Sequence, residues 1–180
     1  MSNEREQLIF DEGLRLKPYP CTKKKIIIGI GRNLEDNPLS PDEVMTMLLA
    51  RPHIKVNNTE IREVRRLLLD DFYKSGITKD EAYYLFDNDV KKFSAELRKA
   101  LPWVNDAPEE VQNILLNMTF NMGIKRLLSF NGPQGTLRMI QRGEYKTAAE
   151  NLTKSLWYRQ VTSRAERLIN RLSKVKQINT

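Results

Sequence analysis

Apolar residues recur along this 180-residue chain mostly three and four positions apart, the spacing that lines one face of an α-helix. The first such stretch, around Leu8 and Ile9, predicts a helix over residues 3–13. Asn3 and Glu6 have the capping-box spacing, and Gly13 is a good C-terminal stop. From Leu14 to Tyr19 the pattern changes to alternation and meets Pro18 and Pro20, which are expected to end regular structure. The run IIIGIG at residues 26–31 is β-branched and glycine-punctuated, and reads as a strand. With residues 21–25 as the turn, these pieces predict a short hairpin or the start of a small sheet. After Gly31 the strand signal stops.

The remainder is helical in pattern. Ser40 with Glu43 opens a helix to about residue 50, and Asn58 or Thr59 opens another with Ile61, Val64, Leu68 and Phe72 on one face. Thr78 with Glu81 caps a long helix carrying Ala82, Leu85, Val90, Phe93 and Leu97. Beyond Pro102 and Pro108, apolar residues at Val111, Ile114, Leu115, Met118, Phe120 and Met122 are dense enough for a fully buried helix. Further helices are expected at about 133–141, 144–156 and 163–175. No linker or low-complexity stretch separates independent parts, so residues 1–180 are expected to be a single domain. The fold class is α+β and mostly helical, a small β-containing N-terminal lobe wrapped into a larger helical body.

Composition narrows the function. Hydrophobic residues make up 40% and charged residues 29% of the chain, which is long enough for a core without staples. The longest apolar run is only residues 26–28, far below the roughly 20 residues of a membrane span, so no stable membrane insertion is expected. Acidic residues stand where a signal peptide would be basic, so synthesis in the cytoplasm is expected, with release by something else if the protein acts outside. One cysteine and one histidine exclude a disulfide framework and a zinc amidase, and no cofactor or metal is expected. Lys+Arg outnumber Asp+Glu by 30 to 23, a net charge of +7 that points to an anionic partner. A basic C-terminal helix (Arg159, Arg164, Arg167, Arg171, Lys174, Lys176) lacks any nucleic-acid motif or interleaved aromatics, so nucleic acid is not the expected partner.

Two residues are candidates for chemistry. Glu12 falls in the last turn of the first helix, where the negative end of the macrodipole disfavours a carboxylate and suits a general acid; an ordinary solvated glutamate is the alternative from position alone. Cys21 stands next to the lysines at 23–25, cationic surroundings that favour a reactive thiol; a small partly buried thiol is its alternative. Neither residue decides the function.

Taken together, DEGLRLKPY, IGIG, GITKDEAYYLFDNDV, NMTFNMG, LRMIQRGEYKTAAENLTKS and WYRQVTSRAERLI resemble glycoside hydrolase family 24, the T-even phage lysozyme-like family. Six blocks occur in the family's order between about residues 7 and 169. The resemblance implies a lysozyme-like two-lobed fold, with a small sheet lobe at about 14–77, a long connecting helix, and a helical lobe at about 90–180 on which helix 3–13 packs. It implies a monomeric muramidase cutting the β-1,4 bond between N-acetylmuramic acid and N-acetylglucosamine of bacterial peptidoglycan in the cleft between the lobes. It also implies a phage endolysin, held in the host cytoplasm until a holin releases it to the periplasm or cell wall, causing lysis.

Residue by residue, Glu12 matches the family's catalytic acid. Cys21 stands at the second catalytic position, aspartate in the archetype and cysteine in one branch of the family. Ile27 departs from the third, a threonine whose hydroxyl helps hold the attacking water. Isoleucine can neither donate nor accept. The expectation is therefore an enzyme of reduced activity, with a lysozyme-fold protein that only binds peptidoglycan as the alternative. Arg164 matches the arginine that pairs with the catalytic glutamate. Phe120, Asn121, Thr136 and Asn151 match substrate-binding positions, although Phe120, Trp157 and Tyr158 also fit a core. A charged pair that bridges the cleft in the archetype is replaced by Lys23 and Leu156. The segment at about 50–75 is longer than the archetype's and predicts an extra helix.

Overall fold

The computed structural model describes residues 2–22, 24–132 and 135–176; the expectations resting on Lys23, on a helix start at residue 133 and on the Asn3 side chain lie outside what is described. The elements are α1 (Ser2–Glu12), β1 (Arg15–Pro20), β2 (Ile26–Gly29), β3 (Arg32–Asn33), α2 (Pro41–Leu49), α3 (Ile61–Ser75), α4 (Lys79–Ala100), α5 (Glu109–Met122), α6 (Ile124–Leu127), α7 (Thr136–Gln141), α8 (Tyr145–Thr153), α9 (Leu156–Gln160) and α10 (Thr162–Ser173), with 3₁₀ turns at Pro102–Asp106 and Leu128–Phe130. This is the mostly helical α+β fold expected, with one antiparallel sheet in the order β1-β2-β3. The chain divides into two compact units, Met1–Val90 and Lys91–Thr180, with α4 contributing to both.

In the first unit the hairpin differs from expectation in one respect. Pro18 does not end β1 but lies inside it, while Pro20 is its last residue, opposite Ile26. β1 is an edge strand, where a missing N–H leaves no ladder bond unmade. Its outer edge is covered in part by Ile77, whose N–H donates to the Leu16 carbonyl at 2.7 Å. The sheet also continues past Gly31 into the two-residue β3, which pairs Ile28 with Arg32 and Ile27 with Asn33.

Local chemistry fixes the helix starts. Two of the three expected capping boxes form: the Glu43 N–H donates to the Ser40 hydroxyl while the Ser40 N–H donates to Glu43, and Thr78 with Glu81 does the same. α1 already includes Asn3, so that residue is not a cap preceding the helix. α3 begins two residues later than the Thr59 start, with the Asn58 side chain accepting from the Glu60 N–H. Its face of Val64, Leu68 and Phe72 packs with Ile28, Val44, Met47 and Leu85 into the core of this unit, while Ile61 stays exposed.

Arg51 ties the segment before α3 to that core. It is 6% exposed, lies over the Phe72 ring, and bonds Asp71 at 2.8 Å and Glu81 at 2.6 and 2.9 Å. Burial alone would raise both acids. For Glu81 the bonds from Arg51 and Thr78 outweigh it, and for Asp71 the bonds from His53 and Arg51 do, so both carboxyls fall below their ordinary values. A depressed carboxyl stabilises the fold above its unfolded value and loses that stabilisation as pH falls through the lower, folded-state value. The gap in Tm between wild type and a Glu81→Gln variant will therefore narrow as pH falls below the ordinary glutamate value of 4.5. Scanning calorimetry reads it, and a gap independent of pH would contradict the assignment.

The second unit is built around α5. Val111, Ile114, Leu115 and Met118 are fully buried against Leu97, Leu137, Leu152, Trp157, Ala165, Leu168 and Leu172. Phe120 and Met122, expected in a fully buried helix, are only half-buried because α5 ends there at Gly123. The helix expected over 144–156 is two elements: α8 stops at Thr153, and the Ser155 hydroxyl accepts from the Tyr158 N–H to start α9. No helix among the described residues is long and apolar enough to cross a membrane.

Candidate active site

Glu12 is the last residue of α1, and the chain turns immediately afterwards through Gly13 at φ 72°. Gly31, between β2 and β3, approaches it from the sheet. A Cβ on Gly31 would lie 2.5 Å from Glu12 Oε2 and 3.1 Å from its Cβ and Cδ, and the backbone there has φ 70°. Only glycine combines that approach with that conformation. Gly31→Ala is therefore expected to lower turnover by at least about tenfold, because a displaced reacting group costs steeply with distance. The check is kcat alongside Tm: near-wild-type kcat would show that Glu12 tolerates the shift.

Cys21 sits at the β1–β2 turn as a free, half-buried thiol. Its N–H donates to the Lys25 carbonyl at 2.9 Å and its carbonyl accepts from the Lys24 N–H at 2.8 Å. Lys24 adopts the left-handed region at φ 59°, as the last residue of a three-residue hairpin loop does. Lys25 is bonded to Asp36 at 2.5 Å, which raises the ammonium, and the charges of Glu35 and Cys21 act in the same direction. Ile27 is 8% exposed in β2, directly opposite Tyr19.

Tyr19 was not singled out by the sequence. Its ring is half-buried with the Arg15 guanidinium carbon 4.6 Å from the centroid. Burial raises its phenol, Arg15 opposes this, and the charges of Glu12 and Cys21 raise it further. Those last two influences bring Glu12, Cys21 and Tyr19 into one electrostatic neighbourhood.

The other candidates belong to the second unit. Thr136, 1% exposed, accepts from the Asn151 side-chain amide at 2.9 Å, so these two positions come together. Asn121 accepts from Trp157 Nε1 at 2.8 Å; Trp157 is core, as expected, and also orients that amide. Phe120 meets Phe93 edge-on at 4.9 Å. Arg164 is buried and donates to the Asn117 side chain at 2.8 Å and to its carbonyl at 3.2 Å. Asn117 lies one turn before Asn121 on α5, so Arg164 and Trp157 dock on one face of that helix. Spacing four residues from Asn121 was the signal for Asn117. Leu156 is 58% exposed and supplies no charge for a bridge.

Residues 10–174, most of the chain, match the phage lysozyme family. The chain belongs to the phage lysozyme family. Among relatives of this family, the pre-baseplate central spike protein Gp5 of Enterobacteria phage T4 is 30% identical over 166 residues, covering 91% of this chain but 26% of Gp5. The chain thus spans about a quarter of that relative. Probable T4-type lysozyme 1 of Dictyostelium discoideum is 24% identical over 174 residues, covering 94% of this chain and 93% of the relative. Glu12, Cys21, Ile27, Phe120, Asn121, Thr136, Asn151 and Arg164 all fall within the matched segment.

Proposed function

We propose that this member of the phage lysozyme family is a muramidase that hydrolyses the β-1,4 bond between N-acetylmuramic acid and N-acetylglucosamine in bacterial peptidoglycan. The observation that carries the reading is Glu12: a carboxyl at the C-terminal end of α1, closely approached by a glycine that leaves room for it, in one electrostatic neighbourhood with Cys21. Glu12 protonates the glycosidic oxygen as the bond to the muramic acid C1 breaks. Water attacks C1 and gives its proton to the Cys21 thiolate. Exchange with solvent returns the proton to Glu12 and takes it from Cys21.

Phe120, Asn121, Thr136 and Asn151 serve in this reading as sugar-contacting positions, three of them amides or hydroxyls able to bond sugar groups. Arg164 is the supporting cation. The net charge of +7 serves adsorption to an anionic envelope and takes no part in the chemistry. The protein acts as a monomeric endolysin that waits in the host cytoplasm until a holin gives it access to the wall, and lysis follows.

Clearing of a suspension of purified peptidoglycan tests the reading. Soluble fragments appear with time if it is right. Protein that sediments with the polymer and releases nothing would make it a binding protein instead.

A further inference from the structure

Resting on the muramidase reading, we propose that the Tyr19 hydroxyl is a further catalytic group, which holds the attacking water on the face of the sheet that Ile27 leaves without a polar atom. Tyr19, Ile27 and Asn33 are consecutive partners across β1, β2 and β3, so their side chains form one row on one face. Directly opposed side chains stand roughly 4.5–5.5 Å apart at Cβ. Ile28, next along β2, is completely buried in the core and marks the opposite face. Cys21 follows Tyr19 by two residues, and its backbone bond to Lys25 extends the same register.

Within that row the polar side chains are not equivalent. The Asn33 amide is committed to its own turn, accepting from the Glu35 and Asp36 N–H groups and donating to the Asp36 carboxylate at 2.8 Å. Ile27 offers no donor or acceptor. The Tyr19 hydroxyl has no hydrogen-bond partner among the described residues, while its ring is anchored under Arg15. The charges of Glu12 and Cys21 both act on this phenol and, with burial, keep it protonated.

The step balances without a change at Tyr19. One water proton goes to the Cys21 thiolate as the water oxygen bonds C1. The second water proton is held by the phenol oxygen, which keeps an oxygen lone pair directed at C1. The C1–O bond breaks, and the leaving oxygen takes the Glu12 proton. The phenol keeps its own proton throughout.

The experiment is steady-state kinetics on purified glycan strands for wild type, Tyr19→Phe, Ile27→Thr, the double variant and Glu12→Gln, with Tm for each. Tyr19→Phe keeps the ring and the Arg15 contact, so the expected result is a kcat lower by about 10–100-fold with KM and Tm unchanged. Ile27→Thr places a hydroxyl directly across the ladder and restores most of that loss in the double variant. A Tyr19→Phe kcat within about twofold of wild type, beside an inactive Glu12→Gln, would overturn the role of Tyr19 and leave the muramidase reading standing. So would a loss confined to KM or Tm, or a double variant that Ile27→Thr does not rescue. A wild type that cleaves no glycan would overturn both.

Discussion

Glu12→Gln will leave a folded protein whose glycan cleavage is lower by about 10²–10⁴-fold, the range that a proton-transferring side chain contributes. Glutamine keeps the size and hydrogen-bonding outline of the acid, so the space Gly31 leaves beside it still accommodates the side chain. It has no proton to give the leaving oxygen. The negative end of α1 has no preference for a negative charge at this position, so the neutral amide carries no electrostatic penalty from the helix. Activity is thus expected to fall while Tm stays close to wild type, which separates a chemical role from a structural one. Retention of a tenth or more of wild-type turnover would assign the acid elsewhere.

The largest stability effect is expected at Arg32, 3% exposed at the start of β3. Its guanidinium bonds Glu43 through both terminal nitrogens at 2.8 and 2.9 Å and Asp89 through Nε at 2.8 Å. Asn88 supports Glu43 at 2.9 Å and Asn37 supports Asp89 at 2.6 Å. Burial raises Asp89 above its ordinary value even beside Arg32, whereas the bonds from Arg32, Asn88 and Ser40 overcome burial and hold Glu43 below its own. Arg32→Met removes this cation from two buried carboxylates, a change that costs about 3–5 kcal/mol. For a chain of this length that lowers Tm by about 6–20 °C. Adding Glu43→Gln and Asp89→Asn to the methionine variant is expected to recover part of the loss, because the stranded charges go with it. A Tm drop of only a few degrees in Arg32→Met would show that the cluster is solvated in solution.

The sequence made legible whatever is decided locally. Ser40 with Glu43 and Thr78 with Glu81 announce their helices because the bonds that start them span three residues. Gly13 and the run at 26–31 mark the end of α1 and β2 for similar reasons. β3 was invisible because two residues carry no periodicity, and what holds it is Arg32 reaching residues on α2 and α4. Pro18 misled because an edge position is a property of the sheet and not of the strand, whereas β1 does end at Pro20. The Arg51 cluster, which gathers Asp71 and Glu81 from α3 and α4, likewise has no signature in sequence spacing.

The candidate site divides in the same way. Glu12 and Cys21 were found from their positions and neighbours, and the motif blocks then gave them, with Ile27, their places in the site. Tyr19 and Gly31 were not, although both lie inside those blocks. Their importance depends on register and on a close approach: Tyr19 stands opposite Ile27, and Gly31 comes within a methyl group of the Glu12 carboxyl. Asn117 was missed because its function is to receive Arg164 in a buried position.

The measurement closest to the central claim identifies the sugar at each newly made chain end. Purified peptidoglycan is digested with the wild-type protein, reduced with borohydride and hydrolysed, and the reduced amino sugars are separated. Cleavage at the bond proposed here leaves muramic acid as the new reducing end, so reduced muramic acid accumulates with wild type and not with Glu12→Gln. Reduced glucosamine, or new peptide amino termini with intact glycan, would contradict it.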